Sequence, residues 1–243
     1  MDPNIQARLL AINDHFYQQH SESFSTTRHQ VQPGVRRIAQ KILPKASVVD
    51  VGCGNGTLAR HLIAKGFSGQ YLGVDLSAGL LADAQRLLNQ PPSGAFSFQL
   101  IDLAELGWQK FLSPTNYDYL VAFAVLHHLP GAELRAQTIQ AFRKLIAPHG
   151  LVAVSVWQWQ NSARLRARIL PWSTVELEPG DVDEGDVLLD WRAGESPGIR
   201  YIHTFTENSL GELAVRGGFK VCETFYSDGR NDRLALYQVW QPN

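Results

Sequence analysis

Cysteine is scarce in this chain. Two thiols in 243 residues, Cys53 and Cys222, stand far apart with no CxxC and no neighbouring histidine cluster. That excludes a disulfide framework and gives no sign of a zinc site. Excess positive charge is also missing: 22 basic against 23 acidic residues leave a net charge of -1, so bulk charge is not what would hold a nucleic acid. No apolar run approaches the roughly 20 residues of a membrane span, and Met1-Asp2-Pro3-Asn4 does not open like a signal peptide. A cytoplasmic protein without a membrane partner is the expectation. What is present is a hydrophobic content of 44%, enough for one large α/β domain.

The chain is organised around Asp50-Val51-Gly52-Cys53-Gly54-Asn55-Gly56. Ser47-Val48-Val49 before it has strand character, and Thr57 to Ile63 after it carries apolar residues at helical spacing. The three glycines therefore sit in a strand-to-helix turn, where a backbone without Cβ atoms can bend sharply and approach a ligand. A pocket for a nucleotide-like molecule follows.

Around this turn the elements alternate. Asp2-Pro3 caps an amphipathic helix with Ile5, Leu9, Ile12 and Phe16. Residues 21–32 break the pattern, and a second helix carries Val35, Ile38, Ala39 and Ile42. Beyond the turn, strands are predicted at 71–74, 96–101, 117–124 and 150–157, the first and second closing on Asp75 and Asp102. Helices lie between them, one capped by Ser77 with Leu80, Leu81, Ala84, Leu87 and Leu88 inward, which is the signature of parallel strands with crossover helices. From 158 to 199 the alternation stops. The final strands, 219–226 and 233–240, are joined by so short a link that they must be antiparallel. The expectation is an α/β, Rossmann-like, seven-stranded mostly parallel sheet with helices on both faces and a C-terminal antiparallel hairpin. It forms a single domain over 1–243, with an N-terminal helical flap at 1–45 and a substrate-side insertion at 158–199.

Two ligand classes use such a turn. The dinucleotide fingerprint G-x-G-x-x-G would need a third glycine where Thr57 stands, although Asp75 falls where a ribose-binding acid belongs. A carboxylate at Asp50 disfavours a pyrophosphate and favours a ligand carrying an ammonium and a sulfonium. The pattern from Val48 to Trp157, with the closing hairpin, resembles the class I S-adenosylmethionine-dependent methyltransferases. That resemblance implies S-adenosyl-L-methionine as cofactor and S-adenosyl-L-homocysteine as product. It assigns Asp50, Gly52, Gly54 and Asn55 to the methionine part, Asp75 with Leu76 to the ribose hydroxyls, Asp102 with Leu103 to the adenine edge, and Ala124 to His128 to the reaction side.

A narrower similarity lies outside this core. Phe24-Ser25-Thr26-Thr27-Arg28-His29, Val125-Leu126-His127-His128, Gly185 to Trp191 and Arg200-Tyr201-Ile202-His203 are similar to the tRNA wobble-uridine carboxymethyl methyltransferases. It implies that Arg28, touching cofactor or substrate, His127 or His128, and Asp186 surround the reacting methyl. Of the two histidines, one faces the site and one is structural. The chain departs from the family at Asp190, where a proline is usual, and at Tyr201-Ile202, where two tyrosines are. The partner implied is a tRNA anticodon loop, with a small activator subunit. A small-molecule O- or N-methyltransferase, a non-catalytic S-adenosylmethionine-binding regulator and a nicotinamide reductase are the other readings. Trp157, Trp159 and Trp172, interleaved with Arg164, Arg166 and Arg168, either clamp single-stranded RNA or form an amphipathic helix with core aromatics. The acidic run from Glu176 to Asp186 reads as a solvated loop.

Overall fold

The computed structural model describes residues 1–20, 30–88, 96–112, 116–192 and 197–243. In chain order the elements are α1 (Pro3–Gln19), α2 (Pro33–Ala39), β1 (Ser47–Val51), α3 (Thr57–Ala64), β2 (Gln70–Asp75), α4 (Ala78–Leu87), β3 (Phe96–Leu100), β4 (Tyr117–Phe123), α5 (Ala132–Leu145) and β5 (Ile146–Trp157). Then come the single turn α6 (Ala163–Arg166), β6 (Ile169–Leu170), β7 (Asp186–Trp191), β8 (Gly198–His203), α7 (Glu207–Arg216), β9 (Phe219–Ser227) and β10 (Ala235–Pro242).

The large sheet has the order β3-β2-β1-β4-β5-β10-β9. Its pairs are parallel until β10, which runs antiparallel to both β5 and β9. The predicted seven-stranded architecture and its closing hairpin are therefore present. Alternate strand residues feed opposite faces, as the pleat requires. Val49, Leu120 and Val154 pack with Ile139 and Phe142 of α5 and Leu210 of α7, while Val48, Val121 and Ala153 pack with Ile38 of α2 and Leu62 of α3. Strand order reverses between β1 and β4, the switch point at whose carboxyl edge ligands of such sheets bind.

The caps follow the sequence. Asp2 accepts from the Asn4 and Ile5 amides, and Ser77 accepts from the Leu80 amide at 3.3 Å. Leu87, expected inside, is 41% exposed at the end of α4. β5 starts at Ile146 rather than Gly150, because the chain leaves α5 directly into extended backbone that pairs with Tyr117.

The larger departure is in the insertion. The acidic stretch 176–185 is a largely exposed loop, as expected, but the described residues on either side of it do not form an amphipathic helix. β6, β7 and β8 make a second, antiparallel sheet that continues to His203. Leu9 of α1 packs there against Leu177, Leu188 and Tyr201, so the N-terminal helix and the insertion share one small core. Among the described residues no helix is long and apolar enough to cross a membrane.

Candidate functional site

A cavity of about 230 Å³ opens at the carboxyl edge of β1, β2 and β4. Asp50, Gly52, Gly54, Asn55, Asp75, Leu76, Asp102, Leu103 and Ala124 all line it, as do His128 and Trp157. α1 contributes Leu10, Asn13, Asp14 and Tyr17 to the same wall. None of these four was singled out in the sequence. The available signal was a polar Asn13 inside the apolar stripe from Leu9 to Phe16, with Tyr17 one turn further on.

The glycine turn owes its shape to backbone that other residues adopt with difficulty. Gly52, Gly54 and Gly56 have φ of 72°, 54° and 70°, in the left-handed region. A Cβ on Gly52 would lie 2.3 Å from Val125 Cγ2, whereas one on Gly54 would meet nothing within 4 Å. Gly54 is thus the point where backbone is open to a ligand. The donors of the turn are already engaged: the Gly52 and Cys53 amides donate to the Val74 carbonyl at 2.7 and 3.0 Å, and the Gly54 amide donates to Asp75 Oδ2 at 2.8 Å. A pyrophosphate needs such amides for itself. Here a carboxylate occupies one of them, and a second carboxylate lies beside the turn.

Asp50 is buried, and one of its oxygens accepts from the Tyr71 hydroxyl at 2.5 Å. Burial raises its pKa from the ordinary 3.8 to about 7, a rise that the Tyr71 hydrogen bond limits and the nearby Asp75 charge increases. Burial also raises Asp75, against hydrogen bonds from the Ser77 and Gly54 amides that favour its charged form. Two desolvated carboxylates in one pocket suit a ligand that brings cationic centres and hydroxyl groups. S-adenosylmethionine carries an ammonium, a sulfonium and a ribose, so the residues fit it. Asp102, exposed, turns one oxygen to the Ala104 amide at 2.8 Å and borders the cavity next to Leu103. Ala124 is held at φ 58° by donating to the carbonyl and hydroxyl of Ser155, each at 3.0 Å. Cys53 packs beneath the turn, and burial pushes its thiol pKa up.

The histidine pair is resolved by position. His128 lines the cavity. His127 is fully buried, stacks on Trp157 with ring centroids 5.3 Å apart, and accepts from the Trp157 amide at 3.4 Å. It supports the Trp157 wall from behind.

Asp186 stands differently from its expected place. It is buried in the small sheet, accepts from the Tyr201 hydroxyl at 2.7 Å and lies 2.7 Å from His203 Nδ1, and it does not line the cavity. The reason is register: Asp186 faces His203 across the β7–β8 pair, so its carboxylate is enclosed by its own sheet. Arg28, with the flap motif 24–29, lies outside the described residues. The tryptophan and arginine stretch divides. Trp157 borders the cavity, Trp159 donates to Thr204 Oγ1 at 2.9 Å, Trp172 packs on the small core, and Arg164 and Arg166 are exposed.

Known proteins carry the same organisation. A protein of Encephalitozoon cuniculi described as a methyltransferase is 27% identical over 209 residues, covering 86% of this chain and 87% of its own. The tRNA (carboxymethyluridine(34)-5-O)-methyltransferase ALKBH8 of Mus musculus is 27% identical over 177 residues, which are 69% of this chain but 23% of that protein. Among solved structures, the 1,6-didemethyltoxoflavin-N1-methyltransferase of Burkholderia thailandensis, with S-adenosylhomocysteine bound, superposes with a TM-score of 0.66 at 18% identity, over 100% of this chain and 92% of that one. The family described as "Methyltransferase domain" matches residues 23–224. A glycine turn whose amides are internally engaged, a buried and a half-buried carboxylate beside it, and a family match over most of its length identify this chain as a member of the methyltransferase-domain family, an enzyme that uses S-adenosylmethionine.

Proposed function

We propose that the protein methylates the carboxylate of 5-carboxymethyluridine at a tRNA wobble position. The likeness to the carboxymethyluridine methyltransferase carries this reading, together with the similarity of Gly185 to Trp191 and of Arg200-Tyr201-Ile202-His203 to that family. S-adenosylmethionine, when bound, supplies an electrophilic methyl group on sulfonium sulfur. Asp50, Gly52, Gly54 and Asn55 would hold its methionine part, Asp75 with Leu76 its ribose, and Asp102 with Leu103 its adenine edge. Ala124 would lie beside the reacting end.

A carboxylate acceptor is already anionic, so the chain has no proton to remove. Its work is to orient the acceptor and keep water out, which is where most of the advantage of an enclosed in-line transfer lies. Arg28 and His128 would orient the carboxylate, Trp157 would form the wall against the base, and Asp186 would act at one remove by holding Tyr201 and His203. A tRNA anticodon loop is the partner, with a small activator subunit. Nucleoside mass spectrometry of tRNA from a deletion strain should show the methyl ester on wobble uridine gone. An unchanged profile, together with no methyl transfer to carboxymethyluridine-bearing tRNA with or without an activator subunit, would sink the proposal.

A small-molecule O- or N-methyltransferase is the second reading, favoured by the net charge of -1 and by a cavity walled on one side by α1. Undiminished turnover of a metabolite by an Arg164/Arg166/Arg168→Ala variant would support it over RNA.

A further inference from the structure

The cavity wall formed by α1 contains one half of a hydrogen-bonded pair. The Tyr17 hydroxyl lies 2.8 Å from His128 Nε2, with the rings edge to face at 5.5 Å. On the far side of the imidazole, Nδ1 is 3.2 Å from the Tyr201 carbonyl oxygen. A carbonyl can only accept, so Nδ1 carries a proton. In the neutral ring this makes Nε2 the acceptor and Tyr17 its donor.

The backbone on both sides of the ring is tied to α1. Asn13 Nδ2 donates to the same Tyr201 carbonyl and to the His128 carbonyl, each at 3.1 Å, and Asn13 Oδ1 accepts from the Tyr201 amide at 2.9 Å. Helix, strand and histidine turn are joined at one polar node. Tyr17 and His128 both border the cavity that Asp50 and Asp75 enter from the other half of the site.

We propose that Tyr17 touches the methyl acceptor, and that the Tyr17–His128 pair grips an anionic acceptor when His128 is protonated. This rests on the carboxylate reading above. In the neutral pair the phenol proton is directed at Nε2, and the phenol oxygen offers a carboxylate only lone pairs. Protonation reverses the direction. Nδ1 still donates to Tyr201, Nε2 now donates to the Tyr17 oxygen, and the phenol proton is released to donate to one oxygen of the acceptor. The second acceptor oxygen supplies the electron pair for the new O–CH3 bond, and the electron pair of the broken C–S bond returns to sulfur. No proton is liberated, so the pair positions and discriminates without acting as a base.

Among the described residues, the charged and titratable groups around the pair are the neighbouring His127 ring at 4.2 Å, Asp14 on α1, and Asp50, Cys53, Asp75 and Asp102 on the cavity wall, with Arg200 stacked 4.7 Å from the Trp157 ring. Burial raises the Asp50 pKa to about 7, inside the same pH range, so the effect must be read as a difference between proteins that share it.

The test is calorimetric titration of 5-carboxymethyluridine nucleoside into protein saturated with S-adenosylhomocysteine, at about pH 6 and about pH 8, repeated as KM for tRNA bearing that nucleoside. Wild type should bind about tenfold more tightly at the lower pH, the worth of one hydrogen bond to a charged group. Tyr17→Phe should bind about tenfold more weakly at that pH and lose the pH difference, with affinity for S-adenosylhomocysteine unchanged as evidence of an intact fold. His128→Gln should lose the pH difference as well. Equal behaviour of wild type and Tyr17→Phe would overturn the assignment of Tyr17 and leave the carboxylate reading standing. A wild type that neither binds the nucleoside nor methylates the tRNA would overturn both.

Discussion

The two halves of the cavity are built in opposite ways. The half proposed for the cofactor is lined by residues between Asp50 and Leu103 and is largely backbone: left-handed glycines, engaged amides and acids at successive strand ends. The half proposed for the acceptor is lined by Asn13, Tyr17, His128 and Trp157, which are far apart in sequence and meet through side chains. A site made of local backbone is rigid and specifies a ligand that many enzymes share. A site made of distant side chains depends on the packing of separate elements, and it is where a new acceptor can be accommodated.

Substitutions at the glycines probe the first half most severely. Gly52→Ala would force a left-handed alanine against Val125, and strain plus overpacking should cost about 2–5 kcal/mol and remove cofactor binding. Gly54→Ala, with open space around it, should cost about 1 kcal/mol by the backbone penalty alone while still weakening the cofactor. Thermal unfolding and calorimetry of the two variants test this; equal losses of stability would mean that Val125 yields.

The second effect concerns pH. In the folded chain Asp50 has its pKa raised to about 7, so between 3.8 and 7 the native state keeps a proton that the unfolded state has lost. Stability therefore falls as pH rises through that window and levels off above it, by an amount on the order of 4 kcal/mol. Asp50→Asn should flatten the dependence. A bound ammonium or sulfonium lowers the Asp50 pKa, so S-adenosylhomocysteine, which retains the ammonium, should bind more weakly below pH 7 in wild type and not in the variant. A wild-type stability curve parallel to that of Asp50→Asn would contradict the assignment.

Asn13→Leu probes the acceptor half. It removes the partners of the Tyr201 amide and of the His128 carbonyl, which should cost about 2–3 kcal/mol and raise KM for the acceptor, with cofactor affinity little changed. If cofactor affinity fell as far as acceptor affinity, the two halves would not be separable. The smallest effect is expected at exposed Asp102: Asp102→Ala loses one turn hydrogen bond, about 1 kcal/mol of stability, and weakens the cofactor through the lost carboxylate. Competition between adenosine and S-adenosylhomocysteine measures the second part.

The legibility of the sequence follows the same division. The turn, the Ser77 cap and the three acids at strand ends were readable because each depends on residues a few positions apart. The hairpin was readable because a short link permits only one direction. The strands β7 and β8 were not: Asp186–Trp191 and Gly198–His203 are short apolar runs, which periodicity alone cannot distinguish from buried helix, and their covering partner is α1, more than 150 residues earlier. Asp186 was misplaced for the same reason. Its sequence neighbourhood marks it as noteworthy, but only the register with His203 turns it inward.

By itself, the sequence determined the sheet, the glycine turn and the methyl donor, because strand-turn-helix geometry and the acids that follow it are properties of adjacent residues. Tertiary structure decided which histidine meets the cavity, which way its protons point, and that Asn13 and Tyr17 stand beside it. Those outcomes depend on hydrogen bonds between α1, β8 and the His128 turn, elements whose proximity is set by the packing of Leu9 on Leu188 and Tyr201.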